Sequence, residues 1–213
     1  MRPLRAESVR EEFEPLCAKL ITCHHQGKKT MMMASCHEGE GTTTLAVSFS
    51  QTFVQKVQGE VLLVDANLHH PTLEKAFKVK GTMGLTDFIS GEIELEAVIQ
   101  ETEITNLKIL TAGNRVSSRI AIFNSEKFEN CLEEFKKRFQ FIIFDSAPIL
   151  PYSDSLHLSS KVDVIILVIE AEKTRWEVVQ GGIQKLENVG GKVFGTILNK
   201  KRYHIPNFVY KRL

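Results

Sequence analysis

Short apolar runs that alternate with helical segments are the feature that most restricts how this chain can fold. The runs are Thr30–Ser35, Val61–Asp65, Leu107–Thr111, Phe141–Asp145, Val162–Ile169 and Val193–Leu198. They lack polar alternation, which is typical of strands buried on both faces of a parallel sheet. Amphipathic helices between them would cover those faces. The pattern therefore predicts an α/β fold, a doubly wound and mostly parallel sheet between helical layers.

Two of the connecting helices can be identified from apolar stripes at helical spacing. The segment Glu126–Phe139 has one such stripe, and Ser125 is its predicted N-cap. The segment Thr174–Asn188 repeats the pattern and ends before the glycine pair at 190–191. Both stripes are expected to face the core.

The organisation of the chain indicates one domain over residues 1–213, since 213 residues with 43% hydrophobic content can bury a substantial core. No repeat or Pro/Gly/Ser-rich linker divides it. Residues 1–27 precede the first strand as a helical segment, and residues 200–213 form a basic, aromatic tail. The aromatic side chains of the tail are expected to pack on the domain, and its cations are expected to meet a membrane or a partner.

Composition excludes several classes of partner and location. Lys and Arg total 27 against 26 for Asp and Glu, so no global field favours nucleic acid. The apolar runs are far shorter than the roughly 20 residues that span a bilayer. The segment Met1–Arg10 lacks the apolar core of a secretory signal, and the cysteines form no CxxC pair. The expected location is the cytoplasm.

A glycine-rich loop joins the first strand to a predicted helix at Leu45–Val54. In the pattern G-x-x-x-x-G-K-[ST], backbone amides cradle phosphates, the lysine reaches the β and γ phosphates, and the hydroxyl holds magnesium. Gly41 and Thr43 match this P-loop pattern, but Cys36 replaces the first glycine and Thr42 replaces the lysine. By itself the loop is better explained as a tight connection before a helix, for which a Gly-x-Gly turn is common.

Two aspartates strengthen the interpretation of the loop as a nucleotide site. Asp65 and Asp145 end two buried strands, at the edge where ligands of α/β sheets bind. The alternative is that both are strand-end caps. The three coincident signals predict a nucleotide site in which the loop residues bind phosphate, namely Gly39, Glu40, Gly41, Thr42, Thr43 and Thr44.

Segments along nearly the whole chain resemble the bacterial tyrosine kinases of exopolysaccharide and capsule assembly. VLLVDANLHHP at 61–71 resembles their second Walker-type motif, FIIFDSAP at 141–148 resembles their Walker B segment, and GEG at 39–41 matches the first motif. The likeness continues through GLTDFISG at 84–91, LTAG at 110–113, KTR at 173–175 and GTILNK at 195–200. The resemblance implies a P-loop NTPase-like three-layer sandwich.

The resemblance also implies site roles, cofactors and a partner. Asp145 would order magnesium through water, and Asp65 would lie beside the metal and the attacking hydroxyl. Thr43 would also ligate the metal, so the implied metal site comprises Thr43, Asp65 and Asp145. Asn199 would meet the adenine, although a plain turn residue is the alternative. ATP or ADP with Mg²⁺ would be the cofactors. The partner would be a membrane polysaccharide chain-length regulator, which would hold the protein at the inner membrane.

The chain departs from the family pattern where catalysis needs charge. Thr42 supplies no cation to stabilise the transferring phosphoryl group. His37 stands where partitioning ATPases carry a second lysine, and histidine is mostly uncharged at neutral pH. Asn67 replaces an acidic residue of the second motif. Phosphoryl transfer is expected to be weak or lost.

Self-association is also altered, because Glu14 and Cys17 replace both arginines of the family's oligomerisation motif after Glu11. The terminal tyrosine cluster is reduced to Tyr203 and Tyr210. Three functions follow in order of preference. The first is a nucleotide-binding regulator of exopolysaccharide production. The second is a working tyrosine autokinase, and the third is a partitioning-type ATPase.

Overall fold

A computed structural model describes residues 6–79, 83–91 and 93–201, and it contains one sheet of seven strands in the order β3-β4-β2-β5-β1-β6-β7. The strands are β1 Thr30–Ser35, β2 Val61–Ala66, β3 Ile99–Glu101, β4 Leu107–Leu110, β5 Phe141–Ser146, β6 Val164–Glu170 and β7 Val193–Asn199. Every pairing is parallel except that of β3 with β4. The predicted fold class is confirmed.

The helices lie on both faces of the sheet and complete three layers. They are α1 Ala6–His25, α2 Thr42–Phe53, α3 Leu73–Phe77, α4 Leu85–Ser90, α5 Leu95–Val98, α6 Arg119–Phe123, α7 Glu126–Arg138, α8 Asp154–Ser159 and α9 Trp176–Asn188. Side chains of α1 and α2 form one core with alternate strand residues such as Met31 and Met33. Met32 and Ala34 point the other way, into the core beneath α7 and α9.

The apolar runs became strands as predicted, with one difference in burial. Strands β1, β2 and β5 are buried along their whole length. Strand β7 alternates between half-buried and exposed residues, and Leu198 is 63% exposed. The expectation of two buried faces was wrong for this run, because β7 ends the sheet order and pairs with β6 alone among the described strands.

The N-cap residue and the apolar stripes predicted the bounds of α7 and α9 to within two residues. Ser125 caps α7 by accepting a hydrogen bond from the backbone N–H of Phe128 at 3.1 Å, as predicted. Helix α2 begins at Thr42, three residues before the predicted Leu45, so the P-loop threonines form its first turn. Within the described residues, no helix is both long and apolar enough to cross a membrane. The predicted tail tyrosines lie outside the described residues.

Candidate nucleotide-binding site

A cavity of about 480 Å³ opens at the carboxyl ends of the parallel strands, above the glycine loop. It is lined by five of the six predicted loop residues, Gly39, Gly41, Thr42, Thr43 and Thr44, together with Asn67, His70, Thr72, Ser146, Pro148 and Lys200. Asp65 and Asp145 are buried beneath it at the ends of β2 and β5. The topology therefore brings the loop and both predicted aspartates to one place.

The loop has the backbone geometry of an anion cradle. Gly39 and Gly41 adopt left-handed conformations, with φ of 77° and 96°. Gly41 is the N-cap of α2, which has no acidic residue in its first turn. The first amides of a helix lack intrahelical partners, and the helix dipole favours negative charge there. This end of α2 suits a phosphate group.

The side chain of Glu40 holds the loop rather than facing the cavity. Glu40 is 2% exposed, and its Oε2 accepts a hydrogen bond from the His37 amide at 2.9 Å. Its Oε1 accepts from the Glu170 amide at 3.3 Å and from the Thr174 hydroxyl. Only the backbone atoms of Glu40 therefore remain to contact a nucleotide.

Asn199 lies under the loop and is engaged there. Its Nδ2 donates to the carbonyl oxygen of Glu40 at 2.8 Å, and its Oδ1 accepts from the Lys200 amide at 2.9 Å. Asn199 lines a second cavity beside α1 and not the cavity above the loop. Its predicted contact with adenine stays a prediction, and the geometry assigns it a part in supporting the loop.

The left-handed backbone of position 41 and its contact with Asn199 both favour glycine there. A Cβ on Gly41 would lie 2.2 Å from Asn199 Nδ2, whereas a Cβ on Gly39 would have no neighbour within 4 Å. We expect Gly41→Ala to lower the free energy of unfolding by about 3 kcal/mol through strain and crowding. Gly39→Ala, the matched control, should cost about 1 kcal/mol from left-handed strain alone. Urea denaturation measures both, and equal losses would contradict the role of Asn199.

Asp145 is the group in the site that most clearly lacks a partner. It is completely buried, and neither carboxylate oxygen has a hydrogen-bond partner among the described residues. Burial raises the pKa of Asp145 well above its usual range, and the neighbouring Asp65 raises it further. The Thr43 hydroxyl lies close enough to oppose this rise. A divalent cation between Asp145 and Thr43 would satisfy the buried carboxylate, so these residues fit magnesium.

Asp65 differs from Asp145, its direct partner across β2 and β5. Its carboxylate accepts hydrogen bonds from the amides of Asn67 at 3.2 Å, Thr72 at 2.9 Å and Leu73 at 3.0 Å. Burial raises the pKa of Asp65 to about 6, and these amides oppose the rise. The strand-end cap interpretation thus describes the contacts of Asp65, which fix the turn into α3. It does not describe Asp145.

A cluster beside the loop, which lines a separate cavity, was not predicted from the sequence. His69 Nε2 lies 2.9 Å from Asp154 Oδ1, and the ring of Tyr152 stacks on His69 with centroids 3.6 Å apart. The Tyr152 hydroxyl donates to Glu38 of the loop. These contacts join segments 114 and 85 residues apart, so no spacing in the sequence signals them.

The glycine loop, the unpartnered Asp145 and the strand order define the class of this protein as a P-loop NTPase-like domain. Sequence comparison agrees, because the AAA domain family matches residues 28–199. Tyrosine-protein kinase YwqD of Bacillus subtilis is 30% identical over 82% of this chain and 73% of that protein. Tyrosine-protein kinase CpsD of Streptococcus agalactiae is 29% identical over 96% of this chain and 90% of that protein.

Comparison with solved structures also identifies a kinase domain. The crystal structure of the VpsO kinase domain is 32% identical and has a TM-score of 0.84, covering 93% of this chain and 97% of that one. The chain belongs to the bacterial tyrosine-kinase family. The fold extends to the septum site-determining protein MinD of Pyrococcus horikoshii, solved with Mg-ADP. That structure is 22% identical with a TM-score of 0.68, and covers 87% of this chain and 76% of its own.

Proposed function

We propose that this protein is a kinase-like regulator of exopolysaccharide assembly that binds ADP or ATP with Mg²⁺ and transfers phosphoryl groups weakly or not at all. One observation carries the proposal. Thr42 occupies the position of the P-loop lysine at the start of α2 and lines the cavity, while the loop amides remain in place. Asp145 and Thr43 are the residues that would hold the metal.

The missing lysine affects binding and catalysis unequally. Backbone amides from Gly39 to Thr44 contact phosphate in the ground state and in the transition state alike, so they support binding. The lysine acts most strongly where charge develops during transfer, and losing a comparable preorganised group raises the barrier by about 3 kcal/mol. Nucleotide binding is therefore retained where catalysis is not.

When it is bound, magnesium neutralises part of the negative charge of the phosphates. The protein's own residues determine where the ion is held. Burial and the neighbouring Asp65 raise the pKa of Asp145 well above its usual range, so a bound cation would favour its charged form beside the Thr43 hydroxyl. Asp65, with a pKa of about 6, is mostly ionised at neutral pH and organises the adjacent turn through its three amide contacts. Asn67 lines the cavity as a neutral group.

Calorimetric titration with ADP and ATP tests the proposal. We expect saturable binding in Mg²⁺ and a loss of at least about tenfold in affinity when EDTA replaces the metal. Thr43→Val should abolish the effect of magnesium, because it removes a hydroxyl ligand. Thr44→Val is the matched control, since Thr44 also lines the cavity and is exposed. Absence of binding by the wild-type protein would contradict the proposal.

The same proposal assigns the protein to the cytoplasmic side of the inner membrane, in contact with a polysaccharide chain-length regulator. Membership in the tyrosine-kinase family supports this assignment. The chimerical protein CapA2B2, with a TM-score of 0.78 and 23% identity, is a further neighbour in fold. The charge balance of the chain gives no reason to expect nucleic acid as a partner.

Assembly into a ring is not expected, because Glu14 and Cys17 stand where the family's oligomerisation motif carries arginines. Cys17 is 2% exposed in the core, and Glu14 forms an ion pair with Lys56 of the same chain at 2.9 Å. Sedimentation velocity at micromolar concentration should therefore show monomers or small oligomers. A single species of ring size without any partner would refute this expectation.

A further inference from the structure

Lys200 is the only lysine or arginine among the described residues that line the nucleotide cavity. It follows β7 directly and adopts a left-handed conformation with φ of 58°, which is uncommon for a residue with a side chain. Its Nζ donates a hydrogen bond to the carbonyl oxygen of Gly39. A Cβ on Gly41 would lie 3.9 Å from its Cε. The side chain therefore lies along the glycines of the loop.

The partners of Lys200 leave its charge available to a ligand. Its Nζ lies 3.3 Å from Glu170 Oε2, and Lys173 Nζ lies 3.0 Å from the same oxygen. Glu170 would keep Lys173 as a partner if Lys200 turned toward a phosphate. The ammonium group has three donors, and the Gly39 carbonyl offers only a partial negative charge. A phosphate oxygen is a stronger acceptor because it is ionised.

We propose that Lys200 supplies, from the end of β7, part of the positive charge that the loop lacks at Thr42. In this arrangement it contacts the polyphosphate of a nucleoside diphosphate or triphosphate. The lysine of a P-loop reaches the β and γ phosphates, so a monophosphate lacks the groups that Lys200 would contact. The inference rests on the proposed function, since it requires nucleotide in the cavity above the loop.

Two lysine variants isolate this contact. Lys200→Met removes the cation at the loop, and Lys173→Met is the matched control because it removes the other partner of Glu170 outside the cavity. By calorimetry in Mg²⁺, Lys200→Met should weaken ATP and ADP binding about tenfold. Its AMP affinity should stay within about twofold of wild type, since a monophosphate lacks the second phosphate. Lys173→Met should change neither.

Two further variants separate charge from structure. Lys200→Arg keeps the cation and should retain most of the ATP affinity, which a purely structural defect would not allow. In a Thr42→Lys background, Lys200→Met should cost less than about threefold, because the restored lysine neutralises the phosphates. Thermal unfolding of each variant verifies that it is folded.

The possible failures are distinguishable. If wild type binds ATP and Lys200→Met binds it equally well, the role of Lys200 is wrong while the proposed function stands. Equal losses in Lys200→Met and Lys173→Met would assign the effect to the surroundings of Glu170 and overturn the inference. If wild type binds no nucleotide at all, both the proposed function and the role of Lys200 are overturned.

Discussion

Thr42→Lys is expected to raise phosphoryl transfer or ATP hydrolysis about 100-fold, with a much smaller change in ATP affinity. The substitution places a cation on the first turn of α2, where charge develops during transfer. Lys200 contacts the loop at Gly39 from the end of β7, and we expect it to contribute mainly to binding. Steady-state release of ADP and appearance of phosphotyrosine measure the gain.

Thr42→Met is the control for side-chain size, because methionine is long and uncharged. It should give no increase in turnover, and any loss of affinity in it would report crowding of the cavity. A wild-type protein that already turns over as fast as Thr42→Lys would show that the lysine is dispensable, and the second hypothesis, a working autokinase, would replace the first.

Asp145→Asn is expected to stabilise the metal-free protein at pH 7 by about 1–3 kcal/mol while removing the magnesium dependence of ATP binding. The carboxylate is completely buried, has no hydrogen-bond partner among the described residues and lies beside Asp65. An amide of the same shape removes the cost of either burying the charged carboxylate or protonating it, and it removes the repulsion with Asp65. Urea denaturation in EDTA measures stability, and calorimetry with and without Mg²⁺ measures binding.

The control is Asp154→Asn, which changes a second buried aspartate outside the metal site. Asp154 differs because one of its oxygens contacts His69 at 2.9 Å. This variant should not gain stability, and it should keep the magnesium dependence of ATP binding. A loss of stability in Asp145→Asn in EDTA would contradict the account of Asp145 as an unsatisfied ligand.

The same pair of carboxylates gives the metal-free protein a characteristic dependence on pH. The pKa of Asp65 is raised from 3.8 to about 6 in the folded state, and that of Asp145 is raised as well. Between pH 3.8 and about 6, the folded state therefore holds more protons than the unfolded state. The contribution of this pair to the free energy of unfolding falls as pH rises through that range. Comparing wild type with Asp145→Asn across this window isolates the effect, which should shrink in the variant.

Much of the fold and the position of the site could be predicted, because strands buried on both faces of a sheet form continuous apolar runs in the sequence. Runs such as Val61–Asp65 and Phe141–Asp145 end in aspartates, and parallel pairing in register makes those two aspartates direct neighbours. The three-residue strand β3 has no such apolar run, because its residues are only half-buried or exposed. It pairs antiparallel with β4 at the other end of the sheet.

The parts of the site that could not be predicted depend on contacts between distant segments. Glu40 looks like a phosphate-loop residue in sequence, but its carboxylate is used by groups at 170 and 174. Lys200 looks like one cation of a basic tail, and only the position of β7 beside β6 brings it to the loop. Asp65 and Asp145 look alike in sequence, yet the turn after β2 supplies amides to one of them alone.

The central claim is that the protein binds ATP but transfers its phosphoryl group weakly or not at all. The rate at which bound ATP is converted tests this claim most directly. Wild-type protein in excess over γ-labelled ATP and in Mg²⁺ holds the nucleotide in the site, and the label is then followed over time beside Thr42→Lys. We predict that the wild type retains intact ATP about 100 times longer than the variant does, because binding persists without the lysine and transfer does not. Conversion of the bound ATP at the same rate in both proteins, or failure of the wild type to retain ATP at all, would contradict the account.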